Sequence, residues 1–201
     1  CSNAGFLGNP IAQGVFGMMG LTLASIYLIP QRIMMWSEGV SVFTEAPTKK
    51  EMLKKIFTHP CIIACEIGIV LMLTGWRPPH FLEETITSVS NCNTAMSMLV
   101  IGMILADADP KTIIDKDVLF YTFIRLLIIP FCVFIPCWIL HIDSLVMGVS
   151  VILAAMPAGA TTTILASKYD CEEEFSVKLV VFSTAASLIT TPLWNMILLK
   201  F

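Results

Sequence analysis

The chain has 201 residues, of which 56% are hydrophobic and only 13% charged, and its mean hydropathy is +0.82. Soluble domains carry about 25% charged residues, so this composition excludes an ordinary soluble domain and points to an all-α integral membrane protein in the lipid bilayer. A net charge of −3, with basic residues confined to a few loops, gives no reason to expect a nucleic-acid partner.

The chain starts at Cys1 without a Met or a signal-like segment and enters its first motif in mid-pattern, so truncation at the N-terminus is expected. A lipoprotein would carry a soluble body after an N-terminal Cys, whereas apolar spans follow here. The seven cysteines lie mostly inside apolar runs and indicate no disulfide framework. Cys61 and Cys65 share a helical face without a His or a second pair to complete a metal set. No cofactor is expected.

A helical crossing needs roughly 20 apolar residues. On that measure the chain reads as a partial span over about 3–16, then full spans over about 20–43, 60–76, 86–106, 118–141, 145–167 and 175–199. Lys49, Lys50, Lys54 and Lys55 follow the second span, Lys111 and Lys116 the fourth, and Lys168 and Lys178 the sixth. The opposite side holds only Arg77 and Lys200, so the Lys-rich loops are expected in the cytoplasm and the C-terminus outside a multi-pass protein of the cell membrane.

Two of these spans contain a proline among small and polar residues. Pro10 is flanked by Asn3, Gly5, Gly8 and Asn9, and Pro157 by Gly159, Thr161, Thr162 and Thr163. A helix broken at bilayer depth frees N–H and C=O groups that lipid cannot satisfy, so a break survives only inside protein or beside a water-filled cavity. Paired breaks of this kind point to a substrate site. Pro30, Pro130, Pro136 and Pro192 lack such company and read as kinks. If 59–201 is one complete inverted repeat of five spans, 44–58 is a cytoplasmic linker and 1–43 holds the last two spans of the other repeat. Pro10 and Pro157 then occupy equivalent fourth helices.

The run Asn3-Ala4-Gly5-Phe6-Leu7-Gly8-Asn9-Pro10-Ile11, the Lys-rich loop leading to His59-Pro60, the segment Ile101-Gly102-Met103-Ile104-Leu105-Ala106 and the segment Ala155-Met156-Pro157-Ala158-Gly159 resemble the auxin efflux carrier family, including its bacterial malate-permease-like members. The resemblance covers essentially the whole chain and corresponds to roughly the last seven of ten spans. It implies an inverted-repeat transporter of five plus five helices, similar to sodium/proton antiporters and bile-acid symporters, with two broken helices crossing beside an organic anion such as malate, another carboxylate or an auxin-like acid. The short 44–58 loop leans toward a bacterial-type member. A homodimer is an admissible assembly.

Half-helix N-termini favour anions without a buried cation. The substrate-binding candidates are therefore Asn3, Gly5, Gly8, Asn9, Pro10, Pro157, Gly159, Thr161 and Thr162, with helix capping as the competing role of the polar ones. Asn91, Asn93 and Thr94 form a polar patch in an apolar span and are candidates to line the cavity; packing between helices explains them equally well. Glu66 lies inside a span and is the candidate for proton coupling, the coupling ion being a proton or sodium. Arg32 and Arg125 are expected to snorkel to the cytoplasmic interface. The spacing of Gly14, Gly17 and Gly20 suggests close packing or a turn. No Gly-x-Gly-Asp, Gly-x-Ser-Gly or His-Glu-x-x-His run occurs, so the chain is not expected to be an enzyme. The alternatives to a carrier of this kind are a sodium-coupled organic-acid symporter and a non-transporting sensor or channel.

Overall fold

The computed structural model describes residues 2–35, 60–76, 78–106, 114–198 and 200, and every regular element among them is helical. In chain order these are a π-helical turn Ala4–Gly8 leading into α1 (Asn9–Met34), α2 (Pro60–Thr74), α3 (His80–Ala106) and α4 (Lys116–Phe123). A second π-helical turn, Ile124–Ile128, leads into α5 (Ile129–Ile139), and α6 (Ser144–Ala154), α7 (Ala160–Lys168) and α8 (Glu173–Leu198) follow. By length and composition, three helical stretches among the described residues, Ala4–Met34, Lys116–Ile139 and Glu173–Leu198, are long and apolar enough to cross a membrane, the first of them being two helices joined at a kink.

The chain forms two compact units, Cys1–Ile29 with Ser97–Phe201, and Pro30–Met96. In the Pro30–Met96 unit, α2 and the first part of α3 present Ile67, Met72, Leu73, Phe81, Ile86 and Val89 outward, apolar surface suited to lipid. The core of the other unit is built on α6, whose residues from Met147 to Ala154 are all but completely buried apart from Ser150. Asp143 caps α6 by accepting from the N–H groups of Leu145 at 3.0 Å and Val146 at 3.3 Å.

The first part of α1 packs antiparallel along α6. Asn3 bonds to Pro157, the position of the missing Gly8 Cβ lies 2.7 Å from Leu153 Cδ2, and the Phe16 ring lies 2.8 Å from where a Gly148 Cβ would be. Rising numbers on one segment thus meet falling numbers on the other. α8 closes the unit with a stripe of small polar residues, Ser176, Ser183, Thr184, Ser187 and Thr191, all buried, which lets helices approach closely.

α1 is not one straight rod. Gly17 has φ 68° and ψ −159°, a conformation open essentially only to glycine. A Cβ on Gly20 would lie 2.6 Å from the carbonyl oxygen of Ala12, although residues eight apart in a straight helix are about 12 Å apart. The chain therefore folds back at Gly17, between the spans read as 3–16 and 20–43, and the spacing of Gly14, Gly17 and Gly20 is a turn with close packing behind it.

The break expected at Pro10 lies elsewhere. Pro10 sits half-buried inside the helix, and the backbone leaves helical geometry at Asn3 (φ −80°, ψ 35°) and at Gly17. The reason is the π turn before Pro10: Gly8 N–H donates to Asn3 O at 3.1 Å and Asn9 N–H to Ala4 O, a wider turn that relieves the clash between a proline ring and the preceding carbonyls.

Replacing Gly20 by Ala is expected to destabilise the protein by about 1–3 kcal/mol, because the new methyl must displace Phe16 or the Ala12 backbone. Gly14→Ala, with no heavy atom within 4 Å of the added Cβ, is expected to be neutral or to stabilise by up to about 1 kcal/mol. Thermal melting of the detergent-solubilised variants checks the opposite signs.

Candidate functional site

α6 stops at Ala154 and α7 starts at Ala160; Ala155 N–H still donates to Val151 O at 2.9 Å, and the helical ladder is then interrupted across Pro157, which has no N–H to give. Residues 155–158 are buried, so each freed backbone group needs a partner. The carbonyl of Met156 accepts from Arg125 Nε at 3.1 Å. The next carbonyl, that of Pro157, accepts from Asn3 N–H at 2.8 Å, and Ser2 and Ala158 form an antiparallel bridge. Ala158 N–H donates to Ser183 Oγ at 3.1 Å, and Ser183 in turn donates to Leu179 O at 2.6 Å. Gly159, extended at the N-cap of α7, accepts from Thr162 N–H at 2.8 Å and closes the first turn.

Two helices therefore begin side by side. One is the π turn that runs into α1 from Asn3, and the other is α7 from Gly159. The first N–H groups of a helix have no intrahelical acceptor, and aligned peptide dipoles place roughly half a positive charge at that end. Asn3 is 3% exposed, and its Nδ2 has no hydrogen-bond partner. A buried amide donor left unmade costs about 1–3 kcal/mol, so this nitrogen marks a place where an acceptor belongs. Asn9 Oδ1 is also unpartnered, as are the buried hydroxyls of Thr122 on α4, Thr163 on α7 and Thr184 on α8.

The structure thus gathers part of the expected set. Asn3, Pro157 and Gly159 are buried at the junction; Gly8 is buried against Leu153 and Met156; Gly5, Asn9, Pro10, Thr161 and Thr162 are half-buried on the two helix starts. Glu66 on α2 and Asn91 on α3 belong to the Pro30–Met96 unit and are exposed there. The side chains of Asn93 and Thr94 lie outside the described residues, as do His59, Asp107, Asp109 and the loop 44–58. An apolar groove of about 330 Å³ lined by Phe131, Thr190, Trp194 and Lys200 includes none of the junction residues.

Arg125 corrects the expectation of a snorkelling side chain. It is half-buried, and its Nε is spent on the Met156 carbonyl instead of reaching the interface. The π turn Ile124–Ile128 carries it, and that turn is held in place by Trp194, whose Nε1 donates to Leu126 O at 2.9 Å. Leu126 is the carbonyl that an ordinary helix would pair with the nitrogen of Pro130, which carries no hydrogen. Phe131 packs edge-on against the Trp194 ring at 4.8 Å and 71°. Ser183 was also missing from the sequence expectation; its only signal is the spacing of Ser176, Ser183, Ser187 and Thr191 along one face of α8.

The family model described as a membrane transport protein matches residues 1–195. The chain belongs to that family. An uncharacterized transporter of Methanothermobacter thermautotrophicus is 27% identical over 98% of the chain and 65% of its own length. An uncharacterized transporter of Methanocaldococcus jannaschii is 25% identical over 98% of the chain and 66% of its own length. Auxin efflux carrier component 8 of Arabidopsis thaliana is 23% identical over 72% of the chain and 41% of its own length. The chain thus spans about two thirds of the length of the first two relatives. Membership accounts for the helical, apolar architecture.

Within this family member, Ser183→Ala is expected to cost about 1–3 kcal/mol, because the buried Ala158 N–H loses its acceptor. Ser187→Ala removes only a hydroxyl bonded to Thr184 O in its own helix and is expected to change stability by less than about 0.5 kcal/mol. Melting temperatures of the two variants in detergent check the contrast.

Proposed function

We propose that this chain contributes to a secondary carrier for small organic anions, malate-like carboxylates or auxin-like acids, bound where Asn3 meets residues 155–159. The observation that carries the reading is the bond from Asn3 N–H to Pro157 O, which sets two helix N-termini and an unpartnered buried amide donor at one place. Donors converge there, and an anion supplies the acceptors they lack. The Arabidopsis relative is named an auxin efflux carrier, which agrees with an organic-acid substrate.

The same proposal includes inverted halves divided at 1–43, 44–58 and 59–201, alternating access around the crossing, cytoplasmic Lys-rich loops with the C-terminus outside, and residence in the cell membrane. Thr161 and Thr162, at the start of α7, add hydroxyl donors near the anion. Glu66 is the group we assign to proton coupling, with sodium coupling the competing case, and imposing proton and sodium gradients separately on vesicles distinguishes the two. Asn91, Asn93 and Thr94 are assigned to the cavity wall.

Labelled malate, succinate and indole-3-acetate offered to proteoliposomes of the full-length protein are expected to show saturable flux of at least one acid, competed by the unlabelled compound. Asn3→Ala is expected to weaken its apparent affinity about 10-fold, the worth of one strong hydrogen bond to a charged group, with membrane insertion unchanged. Linear flux without competition would favour a channel and remove the carrier reading. Unaltered affinity in a folded Asn3→Ala protein would remove Asn3 from the site.

A further inference from the structure

Arg125 is more than a clamp for a carbonyl. It stands nine residues beyond Lys116 in the 24-residue apolar stretch Lys116–Ile139, where a guanidinium without a partner is costly and ordinarily marks function. No carboxylate among the described residues lies within ion-pair distance of it; the pairs found there are His80 with Glu84 and Lys178 with Glu174. The phenols of Tyr121 and Tyr27 lie near it and ordinarily carry no charge at neutral pH. A guanidinium has five N–H donors, and the bond described here uses the one on Nε. The fork of four N–H groups on Nη1 and Nη2 has no described acceptor.

Position makes this open fork informative. Arg125 Nε holds the carbonyl of Met156, and Asn3 N–H holds the carbonyl of Pro157. The guanidinium and the Asn3 side chain, with its unpartnered Nδ2, are therefore fixed to successive peptide units of one break. Holding a carbonyl needs only a neutral donor, such as the Asn3 N–H that holds the carbonyl of Pro157. A full positive charge is needed only if a negative one arrives.

We propose that Arg125 is the counter-charge of the transported anion, its Nη fork receiving an ionised carboxylate that also accepts from Asn3 Nδ2. This rests on the reading of the junction as the substrate site and narrows it: the substrate is an ionised carboxylate, and its uncharged acid or amide is rejected. The planar fork matches both oxygens of a carboxylate, a geometry that an ammonium group does not reproduce.

The test compares wild type, Arg125→Gln and Arg125→Lys as full-length protein in proteoliposomes. The substrates are malate, succinate and indole-3-acetate, with succinamide as the uncharged match to succinate. Wild type is expected to transport at least one carboxylate and to be indifferent to succinamide. Arg125→Gln, which keeps a neutral donor for Met156 O, is expected to weaken apparent affinity for that carboxylate about 10–100-fold and to erase the discrimination against succinamide. Arg125→Lys is expected to keep the discrimination with an affinity about 10-fold weaker. Equal carboxylate affinity in Arg125→Gln and wild type overturns the proposal while leaving the substrate site standing. Absence of saturable carboxylate flux in wild type overturns both. If the glutamine variant does not fold, Arg125→Lys decides alone: wild-type affinity, or lost discrimination, sinks the bidentate counter-charge.

Discussion

The constraint on which the structure depends is that lipid satisfies no backbone hydrogen bond. A helix crossing a membrane meets this by pairing its own peptide groups, and any interruption must borrow partners from elsewhere in the protein. At residues 155–159 the borrowing can be followed group by group. Arg125 serves Met156 O, Asn3 serves Pro157 O, Ser183 serves Ala158 N–H, and Thr162 serves Gly159 O. These partners come from the π turn before α5, from the segment that opens into α1, from α8 and from α7. One break thus ties most of its unit together, and the burial of α6 and the small-residue stripe on α8 follow from the need to bring those partners close.

The borrowed partners also determine the electrostatics. Both carbonyls at the centre of the break are consumed, so their partial negative charge is spent inside the protein. The uncommitted groups next to those carbonyls include the N-termini of two helices, the Asn3 amide and the outer nitrogens of Arg125, beside the unpartnered Asn9 Oδ1. Helix ends alone supply partial charges that favour any anion and discriminate weakly by shape. In the role proposed for Arg125, the guanidinium adds a whole charge with a fixed fork, which would turn general attraction into recognition of a planar carboxylate. As the proposed substrate site, such a junction would repel cations and lose little in desolvating a carboxylate, since the lost water would be replaced by donors already in place.

Composition was sufficient for the membrane class, and the company of Pro157 was sufficient for the helix break, because both are local properties of the chain. The resemblance of 3–11 and 155–159 to one transporter family led to the membership that the match over residues 1–195 shows. Arg125 was misread for a physical reason. Its partner is 31 residues away, and a lone Arg in an apolar run has the same sequence signature whether it snorkels outward or reaches inward. Ser183 is similarly hidden, since a hydroxyl in an apolar helix ordinarily bonds its own preceding turn, as Ser187 does with Thr184. The hairpin at Gly17 was partly visible: the glycine spacing suggested a turn, but not which residue would take the positive φ.

The misplaced break at Pro10 sets Pro10 and Pro130 apart from Pro157. Pro10 and Pro130 each stand directly behind a π-helical turn and one further residue, Ala4–Gly8 with Asn9 and Ile124–Ile128 with Ile129. The extra residue in a π turn shifts carbonyls away from the proline ring, so the helix continues, and the orphan carbonyl of Leu126 is taken up by Trp194. Pro157 has no such turn before it; α6 runs in regular α geometry up to Ala154 and then stops. Pro10 and Pro130 thus continue their helices behind a widened turn, whereas Pro157 follows regular α geometry and ends its helix; Pro30, Pro136 and Pro192 stay within their helices without a π turn directly before them. The two widened turns nevertheless face the same break, one bringing Asn3 and the other Arg125 to adjacent carbonyls. The slack that spares these helices from breaking is what lets each deliver a donor to the helix that does break.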